Sequence, residues 1–322
     1  MPRLLIVKTT SLGDVIHNLP VINDIRTAMP DIAIDWVVEE SFADIPRLHA
    51  EVANVYTVAV RRWRKHLLTR KTWQEISSLK QQIRSQQYDY VLDTQGLLKS
   101  ALIAHCSNAP HHGYDRQSAR EPIASCFYDV RHQVSKNQHA VTRIRQLGAK
   151  ALGYPMPDSP PYNGISVGIS NTIPELPTQY VVSLHGTSRD SKLWPIQCWI
   201  ELGQHLSNKG LSLVLPWGSQ AEYERASFIA GHTSQTVVLP KLALQALASV
   251  ISNSVAAIGV DTGLMHLAVA LKKPSIAIYT DTDPKLTGIY PGADTVAINL
   301  GGKNQITTVA AVIDCLNKHR IV

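Results

Sequence analysis

The sequence predicts an α/β protein of two Rossmann-like domains facing each other across a cleft. Short apolar runs of strand length alternate with helix-length amphipathic patterns, which implies a parallel sheet covered by helices. The alternation fades midway into Pro, Gly, Ser and Asn, then restarts. Polar clusters recur just after the strand runs, where parallel sheets bind their ligands. At 322 residues there is chain enough for two cores. The domains are expected at 1–162 and 179–322, joined by a linker region at 163–178. The last helix is a candidate to pack back on the first domain.

Taken in order, Leu4–Val7 reads as a strand, Thr9–Gly13 as a turn, and Val15 to Ala28 as a helix stopped before Pro30. Ile32–Val38 and Val55–Val60 read as further strands. Trp73–Gln86 carries Ile76, Leu79 and Ile83 on one helical face. Tyr88–Asp93 is a buried strand ending in Thr94-Gln95-Gly96, with a helix from Leu97 to Cys106. In the second half, strands are expected at Tyr180–Leu184, Leu211–Leu215, Val237–Leu239, Ala256–Val260 and Ser275–Tyr279. Helices are expected at Pro195–Asn208, Ala221–Ala230, Leu242–Ile251, Thr262–Leu271 and Ile306–Lys318.

Bulk properties narrow the function. An apolar fraction of 44% is globular, and no apolar run is long enough to cross a bilayer. The first apolar run is cut short by Lys8, so it reads as a strand rather than a signal peptide, and a cytoplasmic location is expected. Four scattered cysteines, with no Cys-x-x-Cys pair, are expected to be reduced thiols. The net charge of +6 is concentrated in Arg61-Arg62-Trp63-Arg64-Lys65-His66 and Arg70-Lys71. Such a run is a solvated face, a site for an anionic ligand, or a contact for an anionic membrane. Aromatic residues make up only 6% and no recognition motif occurs, which argues against nucleic acid.

Four loops carry chemistry. Asp261-Thr262-Gly263 joins a strand to a helix, a place where unpaired backbone N–H groups collect anions. His266 follows one turn into that helix. The loop after the first strand, Lys8 to His17, is neither a Walker loop nor a Gly-x-Gly-x-x-Gly fingerprint, which weakens ATPase and dehydrogenase readings. Its Asp14 is either a helix cap or a general base. The segment from His185 to Pro195 offers Thr187, Ser188 and Lys192 to a diphosphate. After Pro216-Trp217-Gly218-Ser219, Glu222 is a candidate for ribose hydroxyls or an exposed helix residue. The thirteen histidines include no ligand spacing, so no metal site is expected.

These residues form a pattern in order and spacing: Lys8-Thr9-Thr10-Ser11-Leu12-Gly13-Asp14, Trp36-Val37-Val38-Glu39-Glu40, Arg61–Lys65, Asp93-Thr94-Gln95-Gly96-Leu97-Leu98-Lys99-Ser100, Arg120-Glu121-Pro122, Lys192-Leu193-Trp194-Pro195, Leu215-Pro216-Trp217-Gly218 and Asp261–Leu267. Over nearly its whole length the chain resembles the ADP-heptose:lipopolysaccharide heptosyltransferases, and among them those acting on the first Kdo sugar of Kdo–lipid A. The resemblance implies a GT-B fold, with acceptor on the first domain and ADP-L-glycero-D-manno-heptose on the second. It implies metal-independent inversion without a cofactor, by a protein peripheral to the cytoplasmic face of the inner membrane. Asp14 would be the base. Thr187, Ser188, Lys192, Glu222, Leu242, Asp261, Thr262, Gly263 and His266 would hold the donor. Ser11, Gly13, Arg61, Arg62, Arg64, Lys65, Gln95 and Arg120 would meet the acceptor. The chain departs from the family at Thr280-Asp281-Thr282-Asp283-Pro284, where Gly-Pro-Thr-Asp-Pro is common, and more mildly at Ser188 and Leu242. Rival readings are a transferase adding a later core heptose and a non-catalytic nucleotide-sugar or lipid-binding protein.

Overall fold

The computed structural model describes residues 1–168, 175–293 and 295–322, so residues 169–174 of the expected linker lie outside the described residues. The chain divides into two compact units, Met1–Ile165 and Ser166–Val322.

The first unit contains, in order, β1 (Arg3–Val7), α1 (Leu12–Ile16), α2 (Leu19–Ala28), β2 (Ala33–Glu39), α3 (Asp44–Arg47), β3 (Val52–Val58), α4 (Val60–Trp63), α5 (Arg70–Arg84), β4 (Tyr90–Asp93), α6 (Leu98–Ala104), β5 (His111–Tyr114), β6 (Val130–His132) and α7 (Ala140–Leu152). Its parallel sheet runs β3-β2-β1-β4-β5-β6. The central strands are apolar on both faces because helices cover both. Leu5, Val7, Val37 and Val91 share one core with Leu79 and Ile83 of α5.

Three expectations change here. The helix expected over Val15–Ala28 is two helices, broken at His17-Asn18. Pro20 opens the second, where its missing N–H costs nothing. The strand expected to end at Val60 ends at Val58. The Glu39 carboxylate accepts the N–H groups of Val60 and Arg61, both at 3.2 Å, and turns the chain into α4. β5, β6 and α7 are additional. β5 lacks an apolar run and is held instead by Asp129, which accepts from the backbone N–H of His111 at 2.8 Å and lies 3.0 Å from its ring Nδ1. α7 packs on α2 through the buried bidentate Arg145–Asp24 pair, at 2.6 and 3.0 Å. It approaches so closely that a Cβ on Gly148 would collide with Val21.

The second unit contains β7 (Tyr180–Leu184), α8 (Ile196–Asn208), β8 (Ser212–Leu215), α9 (Gln220–Gly231), β9 (Thr236–Val238), α10 (Leu244–Asn253), β10 (Ala256–Val260), α11 (Gly263–Ala270), β11 (Ser275–Tyr279), α12 (Pro284–Thr287), β12 (Ala297–Gly301) and α13 (Val309–Lys318). Its parallel sheet runs β12-β11-β10-β7-β8-β9. Counted within each unit, both sheets have the strand order 3-2-1-4-5-6 of a dinucleotide-binding fold. β7 therefore corresponds to β1, and β10 to β4. Val309, Val312 and Leu316 of α13 are buried in the same core as Val181, Trp199 and Ile258. β12 was not legible from an apolar pattern. Among the described residues, no helix is long and apolar enough to cross a membrane.

Candidate active site

In the first unit the polar residues collect at the carboxyl ends of β1 and β4, beside the point where the strand order reverses. Lys8 follows β1 directly and is only 5% exposed. Its ammonium donates to the Thr94 carbonyl at 3.2 Å. Burial pulls its pKa down, while the nearby carboxylates of Asp14 and Asp93 oppose that shift. Gln95 is equally buried, and its side-chain carbonyl accepts the N–H groups of Thr9 and Thr10 at 3.0 and 3.1 Å. It fixes the loop that carries Ser11, Gly13 and Asp14.

Asp14 lies in the first turn of α1. Its Oδ2 accepts from the Ser11 backbone N–H at 2.9 Å and from the Ser11 hydroxyl at 3.1 Å. Arg120 stands 3.7 Å away and is two-thirds exposed. Burial alone would raise the pKa of Asp14. The charge of Lys8, the Ser11 hydrogen bonds and the charge of Arg120 outweigh it and hold the carboxyl below its ordinary range. Asp14 is thus both cap and pre-ionised carboxylate, so the two readings of the sequence are compatible. Lys99 completes the edge, donating to the Thr10 hydroxyl at 3.0 Å. Burial lowers its pKa, and the charges of Arg61 and Arg120 act in the same direction.

The basic run divides. The Arg61 guanidinium lies 5.7 Å from the Phe42 ring centre. Arg62 is engaged by two carboxylates, Glu40 at 3.1 Å and Glu75 at 2.9 Å. It holds α4 to α5 rather than offering a bare charge. Arg64 and Lys65 are exposed after α4.

In the second unit Asp261 is the hub. Its carboxylate Oδ2 accepts from the Lys192 ammonium at 2.7 Å and from the Thr282 hydroxyl at 2.6 Å. Its backbone carbonyl accepts from the Thr187 hydroxyl at 2.9 Å. Thr262 stands at the N-cap of α11 with an extended backbone and no side-chain cap bond, and Gly263 is the first helical residue. The Thr262 hydroxyl therefore does not cap the helix. Glu222 sits in a capping box, its Oε2 accepting from Gly218 and Ser219 at 2.6 and 3.2 Å. A Cβ on Gly186 would meet its Oε1 at 2.6 Å, so the glycine makes room for this carboxylate beside the end of β7. Ser188 is exposed, Leu242 half-buried, and His266 buried on α11. His185, the counterpart of Lys8 in the strand order, is fully buried, and burial draws its pKa down to about 4.

The structure thus gathers Ser11, Gly13, Asp14, Gln95 and Arg120 at one edge, and Thr187, Lys192, Asp261, Thr262 and Gly263 at the other. Lys8, Lys99 and Thr282 were missing from the expected site. Lys8 had a signal in its position, a lysine at the end of a wholly buried strand. Thr282 had one in its place just after β11, beside the Thr280-Asp281 departure from the family pattern. That departure is pinned down: the Thr280 hydroxyl donates to the Ser191 carbonyl at 2.8 Å, and the Ser191 hydroxyl donates to Asp281 at 2.6 Å.

Comparison with known proteins fits this geometry. The sequence model of glycosyltransferase family 9 (heptosyltransferase) matches residues 76–317. Lipopolysaccharide heptosyltransferase 1 of Escherichia coli K12 is 42% identical over 316 residues, 98% of this chain and 96% of that protein. The structure of E. coli heptosyltransferase WaaC with ADP superposes with a TM-score of 0.91 at 41% identity, covering 98% of this chain and 99% of the other. The same enzyme with ADP-2-deoxy-2-fluoro heptose gives 0.88 at 40%, with the same coverage. On the family match, and on identity sustained over nearly all of both chains, this protein belongs to glycosyltransferase family 9, the heptosyltransferases.

Proposed function

We propose that the protein transfers L-glycero-D-manno-heptose from its ADP donor to Kdo of Kdo–lipid A, the first heptose of the lipopolysaccharide inner core, with inversion and without a metal. One observation carries the mechanism: Asp14 is held ionised against its own burial by Lys8, Ser11 and Arg120. A carboxylate in that state accepts a proton without first having to lose one.

The acceptor hydroxyl oxygen attacks the anomeric carbon of heptose, and its proton passes to Asp14. The bond from the anomeric carbon to the phosphate oxygen breaks, and its electron pair leaves with ADP. Lys192 and the first amides of α11, with the Thr187 and Ser188 hydroxyls, offset the charge that develops on the diphosphate. Lys192 exchanges its pairing with Asp261 for the phosphates, leaving Asp261 and His266 beside the donor sugar. Glu222 takes the ribose hydroxyls and Leu242 the adenine. On the acceptor side, Arg120, Arg61, Arg64 and Lys65 face the Kdo carboxylate and the lipid A phosphates, Arg62 braces them, and Ser11, Gly13 and Gln95 shape the floor. The acceptor is a lipid, so the protein works peripherally on the cytoplasmic face of the inner membrane.

The test is to incubate the protein with ADP-heptose and deacylated Kdo–lipid A and to weigh the product. One added heptose is expected. Product formed only with an already heptosylated acceptor would transfer the assignment to a later core heptose. Donor binding with no product from either acceptor would make the protein a binding protein.

A further inference from the structure

The turn joining α4 to α5 has a composition that the transfer reaction does not explain. Leu68 is 102% exposed, Trp73 59% and Leu67 51%. Single exposed apolar residues are ordinary, but two on this turn and a third in the first turn of α5 form a patch. The turn is ordered by its own hydrogen bonds. The hydroxyls of Thr69 and Thr72 donate to the His66 carbonyl at 2.8 and 2.9 Å, and the Trp73 indole N–H donates to the Leu67 carbonyl at 2.8 Å. These bonds hold the two leucines outward, and they satisfy polar groups that would otherwise resist leaving water.

Charge names the partner. From Val60 to Gln74 the chain has no carboxylate. Arg62 is taken up by Glu40 and Glu75, whereas Arg64, Lys65, Arg70 and Lys71 are exposed around the leucines. An apolar tip with an indole at its side and a collar of cations is complementary to the interface of an anionic bilayer. A soluble anion has no use for the leucines. A second copy of the chain would bring the same collar against itself.

We infer that residues 64–73 form a membrane-docking wedge, with Leu67, Leu68 and Trp73 entering the headgroup–acyl boundary of an anionic leaflet and Arg70 and Lys71 pairing with its headgroups. The wedge deepens the peripheral location proposed above and rests on that reading for its biological sense.

The full-length protein is sedimented with phosphatidylcholine vesicles, with and without an equal part of phosphatidylglycerol, while transfer to the deacylated acceptor is measured in parallel. Wild type is expected to bind the anionic vesicles and to be released by salt. Leu67→Ser with Leu68→Ser should weaken partitioning on the order of tenfold or more. Arg70→Gln with Lys71→Gln should weaken it by on the order of tenfold. Both variants should keep the wild-type melting temperature and turnover of the soluble acceptor. Undiminished binding by the leucine variant, or equal wild-type binding to both kinds of vesicle, would overturn the wedge. So would concentration-dependent self-association abolished by the leucine variant with no vesicle binding. Transfer without vesicle binding refutes the wedge alone, and vesicle binding without transfer refutes the function alone.

Discussion

The two units carry the same kind of turn at the same place and use it in opposite ways. β4 runs into Asp93-Thr94-Gln95-Gly96, and β10 into Asp261-Thr262-Gly263, each on the strand beside the first strand of its sheet. Asp93 turns inward. It accepts from the Gln95 and Gly96 amides at 2.7 and 3.2 Å and from the Tyr128 hydroxyl at 2.7 Å. Burial nevertheless raises its pKa. Asp261 turns outward to Lys192 and Thr282. The spacing of strand and helix explains the difference. In the first unit residues 94–97 separate β4 from α6, leaving backbone amides to wrap the carboxylate. In the second unit only residues 261–262 separate β10 from α11, the amides follow the helix axis, and Asp261 meets a cation instead. One turn has become scaffold, the other a charge pair, which the proposed function turns toward the donor.

The largest expected effect tests whether the first unit supplies the base. Asp14→Asn should lower kcat by about 10²- to 10⁴-fold, the usual contribution of a positioned base. ADP-heptose affinity, measured by calorimetry, should stay within about twofold on the same reasoning, since the donor is assigned to the second unit. Turnover within about tenfold of wild type would remove Asp14 from the chemistry. The pH profile gives a finer check. Because the folded pKa of Asp14 is depressed, its acid limb in kcat/KM should lie below the ordinary carboxylate range. Lys8→Met removes a cation that favours the ionised form, so the limb should move to higher pH. An unmoved limb would mean that Lys8 does not tune Asp14.

Next in size is the crossed pair of turn variants. Asp93→Ala strands two amides and the Tyr128 hydroxyl inside the first unit. It should destabilise the fold by on the order of 3–5 kcal/mol, read from the urea midpoint. Asp261→Ala removes a partner from a pair that is 17% exposed on each side. It should cost about 1 kcal/mol of stability while raising the donor KM on the order of tenfold. If the two variants exchanged these signatures, the contrast between scaffold and ligand-facing turn would be wrong.

The sequence revealed the fold most clearly where strands are buried on both faces. Leu4–Val7, Ala256–Val260 and Ser275–Tyr279 are buried throughout, apolar but for Ser275, and were legible almost to the residue. β5 and β12 were not, because their stability comes from partners distant in sequence, such as Asp129 for His111 and the β11 backbone for β12. The same limit applied to the site. The loops at Asp14 and Asp261 could be read from strand-to-turn grammar and from resemblance. The pairing of Arg62 with Glu40 and Glu75 spans 22 and 13 residues and has no local signature. Lys8 could have been found: a lysine continuing a buried strand must be paired or functional.

The smallest effect concerns the loop after β11, where Thr282 stands beside the two departing residues Thr280 and Asp281. Thr280, Asp281 and Thr282 tie the loop after β11 to Ser191 and Asp261, the neighbours of Lys192 in sequence and in space. If that tie positions Lys192 for the diphosphate, Thr282→Val should raise the donor KM severalfold, less than the roughly tenfold or more that a direct hydrogen bond to a charged ligand is worth, because Thr282 acts through Asp261 and Lys192. The kcat should change less, because the bond precedes the transition state. Thr282→Ser keeps the hydroxyl and should restore the wild-type KM. A purely structural contact would lower the melting temperature in step with activity and would leave the ratio of KM to kcat unmoved. A rise in KM at constant stability, reversed by serine, is therefore the result that separates a positioning role from a structural one. It would also show that the second unit's turn works as a set, with the Lys192 and Thr282 side chains around one carboxylate.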